Sequence, residues 1–594
     1  MEIIMSEMLF QMDGEIDLFF RKRLGNLADY TEINRELEVI SGIVDFFSSY
    51  DDFLDFKTGL SQNADSLNPH HSGEYGDFQT PIQLAESVCQ YLIKKKVKPR
   101  ILIEPTCGKG NFILSALQSF KGIEEVYGIE IYKPYIWETK LRILSQALKK
   151  KFKSHARIHL FHTSIFDFSF QNLFSSAPTG PVLVLGNPPW VTNAMLGALD
   201  STNLPPKSNF KNIQGLDAIT GKGNFDIAEY ITYILLRYFS SVNGHMALLV
   251  KNTVIKNILW DLPRSRYEIA NLEKLKINSI TEFNAAVDAS LFLCRFNRKT
   301  APQCLERNFN ALSNNLTVPA KVFGWSRGKF VSDIKNYNMF RSFDGKSVFQ
   351  WRSGVKHDCR NVLELKKNLN GFINKHGKEV IIEAGPVYPY VKSSDLQRQH
   401  IAKVERYLLL PQERMEQETD HLKDLYPLAY AYLENNHSAF IARKSAVYKN
   451  RNPYAVFGIG DYSFMPYKVA ISGLYKKPCF SLLVPVDGKP VLLDDTSYFI
   501  GFEEFEEALF TFGVLSMPLT AGFLESIVFH DMKRVYTKEI LMRLDIEKMV
   551  TAISFDEIKK VVSVISVNGS IVSEDRWNLY VKRISEKRSM KGRK

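Results

Sequence analysis

Between residues 100 and 300 short runs of consecutive apolar residues recur, separated by stretches with helical spacing. The runs are Ile101-Leu102-Ile103, Val126-Tyr127-Gly128-Ile129, Val182-Leu183-Val184-Leu185 and Met246-Ala247-Leu248-Leu249-Val250, with a fifth, Ala156-Arg157-Ile158-His159-Leu160-Phe161, that is a basic, His-rich strand candidate. Runs this short and this continuous predict buried strands, and a spacer such as Phe112-Ile113-Leu114-Ser115-Ala116-Leu117 predicts a crossover helix, so residues 71–300 are expected to form a nucleotide-binding α/β domain. Upstream, Asp17–Leu24 and Ile40–Phe47 predict amphipathic helices in a helical region spanning 1–70. The polar stretch from Ser61 to Ser72, with Asn63, Asn68, Pro69, His70 and His71, reads as a linker. Past residue 300 the pattern shortens to strands broken by turns, as in Ala320–Trp325, giving a mixed α+β domain over 301–545. A helical segment follows over 546–594, and its Lys- and Arg-rich tail from Lys582, without apolar periodicity, reads as a frayed end.

Acids and glycines stand where the predicted strands stop. Ile101-Leu102-Ile103 runs into Glu104-Pro105-Thr106-Cys107-Gly108-Lys109-Gly110. Glycines at 108 and 110 permit close backbone approach to a ligand, but the third glycine of a pyrophosphate-binding turn is missing. A carboxylate at this strand end repels phosphate and suits an ammonium, which points to S-adenosylmethionine rather than a dinucleotide. Glu130 ends the next strand about twenty residues after the turn, the distance at which a carboxylate meets ribose hydroxyls. Asp167 follows the third strand; it suits the adenine amine of the cofactor or an exposed loop. After the fourth strand and Gly186 comes Asn187-Pro188-Pro189-Trp190. The Asn carboxamide and a proline carbonyl can accept hydrogen bonds from an exocyclic NH2, the prolines fix the pose, and Trp190 offers a π face for a base outside its helix.

In order and wording these segments resemble the amino-methylating DNA methyltransferases, the adenine-N6 branch in particular. Phe78-Gln79-Thr80-Pro81 resembles the family segment that holds the cofactor's methionine carboxylate, through Thr80. Glu104, Pro105, Cys107, Gly108, Gly110, Glu130 and Asp167 match its cofactor contacts, and Asn187-Pro188-Pro189-Trp190 its catalytic motif. Tyr or Phe is commoner than Trp at the last position, so the stacking face is kept without a hydroxyl donor. Phe283 resembles the aromatic on the other side of the flipped adenine in TaqI-like enzymes; core packing is the alternative. The carboxylate-binding segment precedes the glycine turn and nearly three hundred residues follow the last core motif. That order implies the γ arrangement, with a target-recognition domain at the C-terminal side.

Composition then adds a partner. Lys and Arg number 76 against 65 Asp and Glu, a formal charge of +11, and the pI is near 9.0, a balance that favours a polyanion such as double-stranded DNA. Lys207, Lys211 and Lys222, in a Gly-, Asn- and Ser-rich insertion after Trp190, and Arg443, Lys444, Lys449 and Arg451, around Tyr448, are the candidate DNA contacts. Six cysteines without a CxxC pair indicate neither a zinc site nor a disulfide framework, and no metal is expected. No run approaches the roughly eighteen apolar residues of a membrane span, and the acidic N-terminus is not a secretory signal, so a cytoplasmic protein is expected. The resemblance implies a site-specific DNA adenine-N6 methyltransferase of a restriction-modification or related phage-defence system. Cytosine-N4 methylation and a noncatalytic subunit of a defence complex are the rivals, and shorter chains with this motif methylate glutamine amides or RNA bases. Since no convincing Asp followed by Glu-x-Lys on a strand pair is found in the first seventy residues or near the C-terminus, cleavage is expected in a separate restriction endonuclease.

Overall fold

Five of the apolar runs become the parallel centre of a ten-stranded sheet in the computed structural model, which describes residues 14–24, 29–61, 78–152, 155–174, 180–192, 226–310, 315–369, 371–415, 417–565 and 572–591. These are β1 (Ile101–Glu104), β2 (Glu125–Glu130), β3 (Arg157–His162), β4 (Val182–Gly186) and β5 (Gly244–Lys251). They lie in the order β3-β2-β1-β4-β5, each parallel to its neighbour. β1 and β4 are buried along their whole length, as expected for strands covered on both faces. The chain leaves β1 towards β2 and β3, then returns to its other side at β4. The switch point therefore lies between β1 and β4, and the crevice beyond their carboxyl ends is where such sheets bind ligands.

The sheet continues through β6 (Ile269–Lys276) and β7 (Ala289–Phe296), with β7 inserted antiparallel between β5 and β6. It does not stop at residue 300. β8 (Gln303–Asn310), β9 (Asn315–Ser326) and β10 (Lys329–Val331) extend it beyond β6, and the chain divides into two units at 330/331 rather than at the expected 300/301. The physical reason is local. β8 pairs in parallel with β6, and Glu306 on it draws ion pairs from Lys274, Lys276 and Lys321, so the strand needs β6 and β9 beside it to satisfy a buried carboxylate.

The N-terminal helices are likewise part of the first unit. α1 (Gly14–Leu24), α2 (Tyr30–Ser41) and α3 (Tyr50–Ser61) send Phe20, Ile33, Leu37 and Phe56, and the connection between α2 and α3 sends Phe46 and Phe47, into the same core as Val126, Ile136 and Leu141. Phe56 stacks on Trp137 at 5.6 Å. The helix expected over 40–47 ends at Ser41, because Gly42 takes φ +77° and its N–H closes the last turn on Glu38. Residues 42–44 then run along the edge strand β3: Val44 N–H donates to the Ile158 carbonyl at 2.9 Å and Ile158 N–H to that of Gly42 at 2.7 Å, which covers the exposed rim of the sheet. The expected linker lies largely outside the described residues.

The second unit holds a five-stranded sheet centred on Tyr467–Ser472 and Ser497–Phe502 and a six-stranded sheet containing Glu364–Asn368, Arg406–Leu409 and Val387–Val391. Helices Phe505–Leu515, Pro518–Ile527 and Phe555–Val562 pack on the first of these around Trp351, Phe480, Phe510, Phe523 and Ile558. The expected boundary at 545/546 does not appear, since Ile546, Met549 and Ile558 share that core. Nor is the tail frayed through its described part. Helix Glu574–Lys591 buries Trp577, Tyr580 and Ile584, one face at i, i+3, i+7, while Arg583 pairs with Glu504 at 2.6 Å and Arg588 with Asp545 at 2.9 Å.

Candidate active site

The glycine turn sits at the carboxyl end of β1 and is held by three different neighbours. Gly108 (φ +50°) and Gly110 (φ +74°) occupy left-handed backbone. A Cβ on Gly108 would lie 2.7 Å from Gln79 Oε1, and one on Gly110 2.6 Å from Thr139 Cγ2, so both positions require glycine by angle and by space. Glu130, at the end of β2, accepts from the Gly108 N–H and the Tyr132 N–H, each at 2.8 Å. It braces the turn from the neighbouring strand end. Cys107 packs as a buried small residue, its N–H donating to the Ile129 carbonyl at 2.8 Å. Pro105 lies against Gly186 of β4.

Glu104 is 2 % exposed and its Oε2 has no hydrogen-bond partner. Burial pushes its carboxyl well above the usual range and the charge of Glu130 adds to the rise. An acid so placed is poised to ionise against a cation. Thr80 is buried above the turn, its carbonyl accepting from Asn111 Nδ2 at 2.6 Å. Asp167 lies in an exposed turn after β3, its N–H donating to Ser164.

Asn187 follows β4 directly. Its Nδ2 donates to the Phe78 carbonyl at 2.8 Å, and its Oδ1 is buried with no partner. An idle buried acceptor costs about 1–3 kcal/mol, which is recovered when a donor arrives. Trp190 is 4 % exposed and its indole N–H donates to the Leu249 carbonyl of β5 at 3.2 Å. The tryptophan that lacks a hydroxyl thus has another anchor. Phe283, in the short helix Ser279–Phe283, meets the Trp190 ring edge-on at 4.9 Å, and Phe78 lies tilted against it at 5.4 Å. The structure therefore brings Trp190 and Phe283 together, but the two rings are in contact with no gap between them. Pro188 and Pro189 carry the chain from Asn187 into this cluster.

The sequence resemblance covers Phe78-Gln79-Thr80-Pro81 but gives a role to Thr80 alone; the contacts of Phe78 with Asn187 and Trp190 and of Gln79 with the glycine turn come from the structure. Sequence reasoning missed Asp226 and Lys251. Asp226 caps helix Ile227–Phe239, accepting from the Ala228 N–H at 3.0 Å, and pairs with Lys251 at the end of β5 at 2.6 Å. Burial raises the Asp226 carboxyl against the pull of that lysine. Val191 and Ile227 are joined main chain to main chain at 2.9 Å, and Thr192 bridges Asp226. Lys207, Lys211 and Lys222 lie outside the described residues.

In the second unit Arg443 corrects its expected role. Its guanidinium stacks on Tyr448 at 3.6 Å and donates to the carbonyls of Phe440, His357, Ala455 and Pro453. Those donors are spent on the fold, and Arg443 is not a free phosphate contact. Lys444, Lys449 and Arg451 around it are exposed.

A search of protein-family models finds no match. The type II methyltransferase M.NspV of Nostoc sp. is 37% identical over 483 residues, covering 81% of this chain and 98% of the relative. This chain belongs to the type II methyltransferases. As such it is an S-adenosylmethionine-dependent DNA methyltransferase of the restriction-modification class. Among solved structures, the type IIL restriction-modification enzyme MmeI in complex with DNA superposes on this methyltransferase with a TM-score of 0.51 at 12% identity, over 85% of this chain and 72% of that one. That likeness is one of fold, and it agrees with the α/β methyltransferase sheet of the first unit.

Proposed function

We propose that this methyltransferase modifies the exocyclic N6 of adenine in duplex DNA, with the γ order of motifs and with residues 331–594 reading the target sequence. The observation that carries the proposal is the Asn187 amide: nitrogen fixed on the Phe78 carbonyl, oxygen buried and idle. A hydrogen-bond acceptor kept empty in a dry site suits a substrate that brings N–H donors.

The residues of the crevice suit the cofactor. The unpartnered Glu104 Oε2 suits the ammonium of a methionyl group, Gly108 and Gly110 let the turn pack tightly under Gln79 and Thr139, and Thr80, Pro105, Cys107, Glu130 and Asp167 surround or follow that turn. When bound, S-adenosylmethionine supplies an electrophilic methyl on a sulfonium. Asn187 Oδ1 and the Pro188 carbonyl accept from the amine of the target base and raise electron density on its nitrogen. Trp190, held by Leu249, and Phe283 grip the base between two rings once Phe283 turns from its edge-on contact. Extruding the base costs a few kcal/mol, offset by that stacking and by the filled acceptor. Positioning and electrostatics carry the step, and no covalent enzyme intermediate is required. Lys207, Lys211, Lys222, Lys444, Lys449 and Arg451 supply phosphate contacts in this reading. Cleavage belongs to a separate restriction endonuclease.

The test is transfer of a labelled methyl group to unmethylated duplex DNA beside Asn187→Ala, followed by single-molecule sequencing of the product. N6-methyladenine at one recurring motif, absent with the variant, is the expected result. N4-methylcytosine would move the assignment to cytosine, and no transfer by an enzyme that still binds S-adenosylmethionine would overturn it.

A further inference from the structure

The segment Phe78–Thr80 touches both halves of the site. On the cofactor side, Gln79 Oε1 accepts from the Lys109 N–H at 3.1 Å and its amide fills the space above Gly108. The Thr80 carbonyl accepts from Asn111 Nδ2 at 2.6 Å, and Asn111 Oδ1 in turn accepts from Arg142 at 2.7 Å. On the catalytic side, the Phe78 carbonyl accepts from Asn187 Nδ2 at 2.8 Å.

A carboxamide is nearly symmetrical in shape, so packing alone does not choose between its two orientations. A carbonyl does choose, because it can only accept: it takes the nitrogen and sends the oxygen the other way. Among the described residues no hydrogen bond competes for Asn187 Oδ1. The sense of the catalytic amide therefore rests on one main-chain oxygen, and that oxygen is one residue from Gln79.

We infer that Gln79 is a positioning residue for methyl transfer: it clamps the Phe78–Thr80 segment to the glycine turn and so holds the Phe78 carbonyl where it selects the accepting face of Asn187. This rests on the reading of Asn187 as acceptor for the target amine. With the clamp released, the segment drifts and the amide is free to turn over. Two N–H donors then face the N–H donors of the substrate, and the nitrogen loses its activation. The cofactor turn and the catalytic amide are thus joined by a strap three residues long, whose middle side chain is bonded to the turn and not to Asn187.

Gln79→Met keeps the bulk and loses the acceptor; Gln79→Glu keeps the acceptor. Single-turnover methyl transfer is measured with saturating S-adenosylmethionine and DNA, beside equilibrium cofactor binding and thermal melting of each variant. Gln79→Met is expected to lower the transfer rate by about tenfold to a hundredfold, the range set by small misplacements of a catalytic group. Its cofactor Kd should stay within about threefold of wild type, and Gln79→Glu should recover most of the rate. Gln79→Ala is run in parallel with the same expectations should Gln79→Met fail to fold. A Gln79→Met enzyme at wild-type rate, a loss that vanishes at saturating cofactor, or a glutamate variant no faster than the methionine one would overturn the inference. If the wild-type enzyme itself yields no amino-methylated base, the reading of the site fails instead, so the two failures are distinct.

Discussion

Asn187 in the first unit and Arg443 in the second both turn side-chain nitrogens onto main-chain carbonyls, and they end in opposite states. Arg443 gives its guanidinium to four carbonyls and the face of Tyr448. Asn187 satisfies one end and leaves the other idle in a buried place. A group whose capacity is used up holds the fold together; a group with buried capacity left over is waiting for a ligand. Glu104, with an unpartnered oxygen at 2 % exposure, belongs with Asn187.

The largest effect that tests this contrast is expected from Asn187→Ala. Loss of one preorganised group of this kind lowers the transfer rate by about 10²–10³-fold. Thermal melting should fall only modestly, because the variant removes an idle buried acceptor while stranding one main-chain carbonyl, that of Phe78; a large drop in melting temperature would place Asn187 with the structural groups. Arg443→Ala should do the reverse, destabilising the second unit by about 2 kcal/mol through stranded carbonyls, with cofactor binding unchanged. Denaturant unfolding beside cofactor titration reads both quantities. Gly110→Ala should weaken cofactor affinity about tenfold, or ~1.4 kcal/mol, since its Cβ would meet Thr139 and its φ is +74°. Alanine at Lys444, Lys449 or Arg451 should leave melting unchanged and reduce the slope of log affinity for DNA against log salt by about one for each phosphate no longer neutralised. An unchanged slope at all three would remove that face from the DNA interface.

The smallest effect concerns pH. The folded-state pKa of Glu104 is raised, by burial first and by Glu130 second. The folded protein therefore holds this proton more tightly than the unfolded chain, and the contribution is fully present below the unfolded carboxyl value and is lost as pH rises through the folded one. The cofactor-free enzyme should lose melting temperature over that rise, Glu104→Gln should flatten the loss, and the same variant should bind the cofactor less well. A Glu104→Gln profile that superposes on wild type would show that the acid is already compensated.

What the sequence conveyed depends on how local its cause is. Four strands of the parallel centre were legible because each carries a contiguous apolar run, and the edge strand β3 by its alternation, Ile158, Leu160 against Arg157, His159; the glycine turn and Asn187 were legible because a strand end fixes where the next residues stand. The helix expected through Ile40–Phe47 kept the right hydrophobic spacing but ran across Gly42, whose left-handed conformation ends α2. β8 and β9 were assigned to the wrong domain because half-polar strands announce a sheet without saying which. The tail was misread because its apolar face begins at Trp577, ahead of the basic cluster that drew attention. In Arg443, alternation of cations and aromatics was visible, but whether a guanidinium's donors face solvent or carbonyls depends on distant residues such as His357, 86 positions away. The role of Phe78 was hidden within a recognised segment, because a main-chain carbonyl has no signature in side-chain identity, and that of Gln79 because its partner is the main-chain N–H of Lys109, 30 positions away.

The closure of Val191 on Ile227, with Thr192 bridged to Asp226, bears on how the chain after Asn187 is held. The 33 residues between Thr192 and Asp226 leave and re-enter the catalytic strand region through one stapled doorway. Loop-closure entropy grows only slowly with length, about 0.6 kcal/mol per doubling. The pairing of Thr192 with Asp226 is therefore little affected by how many residues separate its two sides, and it fixes the chain a few residues after Asn187.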